Sequence, residues 1–249
     1  MKYFVVSDVH SYYKELRKAL KEQGYDPENK DHFFISCGDL FDRGPDAQKC
    51  LDFVMSLPKD RRIFVKGNHE ENLEMILRNH HITETDIYNK TADTVRQFAK
   101  CKKNETYTIG IDTCLRKRKL KAYLSECKDY YETDDYIFCH GFIPLFDETE
   151  EGKLYYRTAD AHAWFWARWA NGFKEWMFYK DMLPDKTIVF GHYHASYGHS
   201  HLHNYKEEYP RTKKNLDDCC FEPFYDKGII GIDACTALTH KVNCIVLKD

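Results

Sequence analysis

An α/β fold is predicted by three features of this 249-residue chain. Short apolar runs, rich in β-branched and aromatic residues, alternate with stretches of helical periodicity through the first third. Continuous runs of this kind suit strands buried on both faces. Strand–helix–strand repetition in turn calls for parallel pairing with right-handed crossovers. Strand patterns also recur as far as CIVLKD (244–249), which reads as one domain with insertions.

The elements follow in order. YFVVSDVH (3–10) opens with a strand, and SYYKELRKALKEQG (11–24) has helical spacing that stops at a glycine. HFFISCGD (32–39) is the second strand; PDAQKCLDFVMSL (45–57) begins with a proline in its first turn and ends before Pro58. RIFVKGNH (62–69) is the third strand, and EENLEMILRNHH (70–81) the third helix. Residues 71–130 are mostly helical in pattern, carry no candidate ligand and read as an insertion. YIFCHG (136–141) and TIVFGHYH (187–194) are further strands, with AHAWFWARW (161–169) a helix between them. Residues 195–226 have little periodicity and read as a lid-like loop, a length that in compact domains is often functional. Two short strands around KGIIGIDA (227–234) and NCIVL (243–247) close the chain.

Composition narrows the function classes. A formal net charge of −3 provides no global attraction for nucleic acid or an acidic membrane. Two local basic runs exist, RKRKLK (116–121) and RTKK (211–214), and the first reads most simply as a solvated helix face. No stretch approaches the ~20 apolar residues of a membrane span. The N-terminus has the pattern of a strand and not of an export signal. Ten cysteines without a CxxC pair read as reduced, packed thiols, which points to the cytoplasm.

Five apolar runs end in possible metal ligands, and neighbouring strands bring such ends together. Asp8 and His10, two residues apart past a strand, combine a carboxylate with an imidazole, a set suited to manganese, iron or zinc. GDLFDRGP (38–45) adds Asp39, able to bridge two cations, Asp42, able to orient an imidazole, and Arg43, a forked donor for phosphate oxygens. GNHE (67–70) adds Asn68 and His69, CHG (139–141) adds His140, and GHYH (191–194) adds His192 and His194. GHSHLHN (198–204) places His199, His201 and His203 at alternate positions; if extended, they share a face, although a polar lid is the simpler reading.

DVH, GDLFDRG, GNHE, HG and GHYH, in this order, resemble the calcineurin-like metallophosphoesterases. GDLFDRG with GNHE is similar to the serine/threonine phosphoprotein phosphatase branch, including its bacterial and phage members. YYETDDYIFCHG (130–141), WFWAR (164–168) and GIDACTALT (231–239) resemble that bacterial subgroup as well. The resemblance implies a four-layer α/β/β/α sandwich of two packed mixed β-sheets flanked by helices. It implies two divalent metal ions, manganese foremost with iron or zinc as alternatives, bridged by Asp39. Asp8 and His10 would complete one site; Asn68, His140 and His192 the other; His194 is the further contributor. His69 paired with Asp42 would be the general acid. Arg43 and Arg168 would clamp the phosphate, Asn68 assisting.

The implied activity is two-metal hydrolysis of a phosphomonoester by a metal-bound hydroxide, with phosphoserine or phosphothreonine in proteins as substrate. GHYH departs from that branch, which usually has one histidine there. The alternative is therefore a bis(5'-nucleosyl)-tetraphosphatase or another metallophosphoesterase acting on a small phosphoester. A scaffold that has lost catalysis is the rival from another class; the full set of ligands and the acid pair argue against it.

Overall fold

The computed structural model describes residues 1–101, 106–145, 156–203 and 213–248, without the side chains of 202, 203 and 213–215. The first elements alternate as the sequence predicts: β1 (Lys2–Val6), α1 (Tyr13–Glu22), β2 (His32–Ser36), α2 (Ala47–Ser56), β3 (Arg62–Val65) and α3 (Asn68–Asn79). Four helices follow, α4 (Glu84–Tyr88), α5 (Thr91–Ala99), α6 (Tyr107–Arg116) and α7 (Arg118–Glu126). After them come β4 (Cys127–Lys128), β5 (Tyr131–Glu132), β6 (Tyr136–Phe138), α8 (Ala161–Trp169), α9 (Gly172–Tyr179) and β7 (Thr187–His194). The chain continues with α10 (Ala195–His203), β8 (Phe224–Asp226), β9 (Ile229–Asp233), α11 (Thr236–Thr239) and β10 (Cys244–Lys248).

The strands form two mixed five-stranded sheets, ordered β10-β1-β2-β3-β4 and β5-β6-β7-β9-β8. Pairing is parallel from β1 through β4 and across β6-β7-β9, and antiparallel at β10, β5 and β8. Side chains alternate across a strand, and that period builds the layers. Tyr3, Val5, Ile35 and Val65 face Phe138, Val189 and Ile230 between the sheets. Phe4, Val6, Phe34 and Phe64 turn the other way, onto Leu16, Leu51, Val54 and Leu73 of the helices. Ile137, Ile188 and Phe190 likewise meet Trp164 and Phe173 on the far side. Two mixed sheets flanked by helices result, as the resemblance implies.

The lid-like segment departs from its sequence reading. Its first nine residues form α10 instead of loop. The helix exists through packing more than periodicity: Tyr197 stacks on Phe173 at 5.8 Å, and His201 stacks on Tyr197 at 4.4 Å. Residues 204–212 of that segment, and 102–105 of the 71–130 segment, lie outside the described residues. Among the described residues no helix is long and apolar enough to cross a membrane.

Candidate functional site

Parallel neighbours present their C-terminal ends on one edge, so the loops after β1, β2, β3, β6 and β7 meet. The backbone there is unusual. Asp8, His10, Ser11, Asp39, Asp42, Arg43 and His192 all have positive φ, between 49° and 72°. Each such non-glycine residue costs ~1–2 kcal/mol and persists where its surroundings hold it. The first two loops are laced together by Asp8 N–H to Gly38 O (3.1 Å), His10 N–H to Asp39 O (3.0 Å) and Ser11 N–H to Leu40 O (2.8 Å). Gly38, at φ 89°, lies so close to His140 that a Cβ would stand 2.6 Å from its Nδ1. Along β7 the pairing with β9 shifts register between Phe190 and His194, and this bulge re-aims His192.

Glu70 pins this backbone from beneath. Its buried carboxylate accepts N–H bonds from Asp39 (2.8 Å), Leu40 (2.9 Å) and Gly67 (2.9 Å), and the Tyr123 hydroxyl (3.0 Å). Burial, reinforced by Asp39, lifts its pKa above the usual carboxylate range despite those donors. Glu70→Gln turns an amide N–H₂ toward donors. It is expected to cost about 2–3 kcal/mol in urea unfolding of the metal-free protein, and unchanged stability would refute the pinning role.

Two groups of ligand atoms share Asp39: His10–Asp39–His69 and Asp39–His140–His192, the atoms of each within 4.8 Å of one another. Asp39 Oδ2 is 3.3 Å from His140 Nε2, 3.7 Å from His69 Nε2 and 3.9 Å from His10 Nε2. Asp8 joins them: Oδ1 lies 3.9 Å from His10 Nε2, and Oδ2 accepts the His192 N–H at 2.9 Å. Asn68 Oδ1 is 2.9 Å from His140 Nε2. Outer partners fix two rings, since His10 Nδ1 donates to Phe41 O (2.9 Å) and His140 Nδ1 to Cys37 O (2.8 Å). Both Nε2 atoms therefore face the cluster, as in metal-binding histidines.

The electrostatics fit cations. Asp8, Asp39 and Asp233 are buried together. Burial, with Asp233 next, pushes Asp8 up to about 8, and burial pushes Asp233 up to about 6. Burial opposes charge on His140, but Asp39, with Asp8 and the Cys37 carbonyl, outweighs it and raises the imidazole to about 10. A divalent ion at Asp39 would take the place of these protons and relieve the carboxylate crowding. The oxygen-and-imidazole donor set fits manganese, iron or zinc.

Beside this cluster His69 Nδ1 meets Asp42 Oδ2 at 2.5 Å. Burial works against an imidazolium, yet Asp39 and Asp42 keep the His69 pKa above its ordinary value. Exposed Arg43 stands at the mouth, its Nη1 2.8 Å from His10 Nε2 and its Nη2 3.1 Å from His69 Nε2. Arg168 is placed otherwise. Its buried guanidinium donates to Glu71 Oε1 (3.1 Å) and Asp129 Oδ1 (2.5 Å), carboxylates outside the cluster.

His194 is buried at the end of β7 but outside the two Asp39-centred groups; burial, with Arg43, pushes it down to about 4. His199 and His201, two residues apart, point to different sides because the segment is helical. His199 bonds Glu222 O at 3.0 Å while His201 turns to Tyr197 O at 2.9 Å, and the side chain of His203 lies outside the described residues. Sequence reasoning passed over Asp233, although it ends an apolar run as the five chosen ones do. It also gave no role to Glu70, and none to Thr91 and Thr94, whose hydroxyls donate to Asp42 at 2.6 and 2.5 Å.

The family model for calcineurin-like phosphoesterases matches residues 1–221. The symmetrical bis(5'-nucleosyl)-tetraphosphatase of Vibrio campbellii is 28% identical over 145 residues, 58% of this chain and 46% of that protein. Serine/threonine-protein phosphatase 1 of Salmonella typhimurium is 40% identical over 68 residues, 27% of this chain and 29% of its own. The chain thus matches less than half the length of these curated relatives. A cold-active protein-tyrosine phosphatase of a psychrophile Shewanella sp. superposes with a TM-score of 0.52 at 16% identity, covering 100% of this chain and 75% of that one. At that identity the likeness is one of fold.

Proposed function

This chain belongs to the calcineurin-like phosphoesterase family, and on that premise we propose that it hydrolyses phosphomonoesters with two divalent ions, manganese foremost. The observation that carries the reading is Asp39, whose carboxylate belongs to both ligand groups. Asp8 and His10 would hold one ion, and Asn68, His140 and His192 the other, with His194 as a further contributor. When bound, the ions acidify a water for in-line attack and neutralise phosphate oxygens. Arg43, at the mouth, grips the equatorial oxygens by its fork, with Asn68 assisting. Arg168, whose guanidinium holds Glu71 and Asp129, remains the proposed second clamp on the pattern of WFWAR alone. His69, its Nδ1 held by Asp42, donates the Nε2 proton to the departing oxygen. Ten free cysteines support the cytoplasm as the compartment of this chain.

Phosphoserine or phosphothreonine in proteins is the leading substrate, supported by the Salmonella relative and by GDLFDRG with GNHE. One surface favours the second reading, a dinucleoside polyphosphate. Trp166 and Trp169, three residues apart on α8, share one side of the helix, and the Phe165 ring meets Trp166 edge-on at 5.2 Å. Trp166 is 61% and Trp169 36% exposed. This ridge ends at the cluster, where the Trp169 ring stands 5.9 Å from that of His192. An exposed aromatic wall there suits a nucleobase.

Rates on a phosphopeptide, diadenosine tetraphosphate and a diester, each with manganese, test both readings. Manganese-dependent turnover of the phosphopeptide above the others is expected. Absence of metal-dependent turnover on all three would overturn the proposed activity. If the base stacks on the ridge, Trp169→Ala is expected to raise KM for diadenosine tetraphosphate by about tenfold, as a stacking loss of ~1–3 kcal/mol requires, and to leave the phosphopeptide KM nearly unchanged. An equal effect on both substrates would dismiss the nucleobase subsite.

A further inference from the structure

The loop carrying Asp42 and Arg43 is held from outside the sheets by one helix. Thr91, Thr94, Gln97 and Phe98 of α5 are spaced to share a face, and all four engage residues 41–47. The Thr91 hydroxyl donates to Asp42 Oδ2 (2.6 Å) and the Thr94 hydroxyl to Asp42 Oδ1 (2.5 Å), while Asp42 N–H donates back to Thr94 Oγ1 (3.1 Å). Gln97 donates to Gly44 O (2.9 Å) and accepts from Ala47 N–H (3.0 Å), and the Phe98 ring meets Phe41 edge-on at 5.1 Å. Threonine is a poor helix former, and the helix does not use these hydroxyls as its N-cap. Lys90 occupies that position and offers no side-chain cap. Both hydroxyls, fully buried, serve the carboxylate instead.

We propose that Thr91 and Thr94 are positioning residues for the Asp42–His69 pair, so that α5 is part of the proton-delivery machinery. A carboxylate turns readily about its last torsion. Donors on both oxygens fix that torsion, and the fixed Oδ2 sets the plane and direction of His69. Misplacement by ~1 Å can cost on the order of 100-fold in rate. The inference rests on His69 acting as the acid.

A pair of esters of nearly one shape tests it: phenyl phosphate, whose departing oxygen needs a proton, and 4-nitrophenyl phosphate, which needs it far less. Thr91→Val with Thr94→Val is expected to lower kcat on phenyl phosphate by about tenfold or more. On 4-nitrophenyl phosphate the loss should stay within about threefold, with KM and metal content unchanged. Thr91→Ser with Thr94→Ser restores the hydroxyls and should restore the phenyl phosphate rate. Equal loss on both esters, no loss on either, or failure of the serine pair to rescue would overturn the proposal. Should the double valine variant fail to fold, Thr91→Val alone carries the test with the same selective loss, and its absence rejects the idea. His69→Asn run alongside separates the premises. If it does not discriminate between the esters, the acid assignment fails; if it does and the valine variants do not, only the positioning role fails.

Discussion

Asp39→Asn is expected to leave less than one divalent ion per chain after dialysis and to slow turnover of 4-nitrophenyl phosphate by about 10³-fold or more. Loss of several kcal/mol of charge stabilisation gives that size at 1.36 kcal/mol per tenfold. The buried carboxylate faces His140, His69 and His10 through Oδ2 and accepts the His69 N–H (3.0 Å) through Oδ1. Burial disfavours its ionisation, yet the imidazoles around it, His140 first, hold it well below the ordinary carboxylate range. An amide supplies no charge to share between two ions, and its N–H₂ would oppose the His69 N–H. Two retained ions with turnover within tenfold of the native rate would remove Asp39 from its place in the reading.

His69→Asn comes second in size, with kcat expected to fall by about 10²–10⁴-fold, the range for a lost general acid, while two ions remain bound. The result matters because the geometry permits another role. His69 lies in the ligand group with His10 and Asp39, so a metal could claim its Nε2. The short bond from Nδ1 to Asp42 suits either use, since both a ligand and an acid gain from a held ring. Elemental analysis decides: loss of an ion from the variant makes His69 a ligand and leaves the acid unassigned.

The strand ends were the legible part of this molecule. Continuous apolar runs mark strands whatever surrounds them, and a polar residue directly after each is visible as a break. Asp8, His10, Asp39, Asn68, His140 and His192 come together as those breaks suggest. Less legible was everything whose role comes from a partner distant in sequence. Glu70 is one more acid in a first helical turn until the N–H groups of residues 39, 40 and 67 point at it. Thr91 and Thr94 look like indifferent helix residues until Asp42, about fifty positions earlier, is placed against them. Arg168 matched a pattern, but its orientation depends on Glu71 and Asp129, which no local signal tied to it. α10 failed for a related cause: its helicity comes from Tyr197 lying against Phe173, a contact without periodicity.

The seven site residues of positive φ bear on engineering. At ~1–2 kcal/mol each, the loops that present the ligands hold on the order of 10 kcal/mol of conformational tension, comparable with the whole stability of a typical domain at about 5–15 kcal/mol. Glycine at the six of them other than Ser11 would relax the backbone and delete the chemistry in one step. Selection of a mutant library for heat resistance alone would thus enrich for inactive survivors, and a stabilisation campaign that keeps the enzyme working has to seek its gains on the helix surfaces.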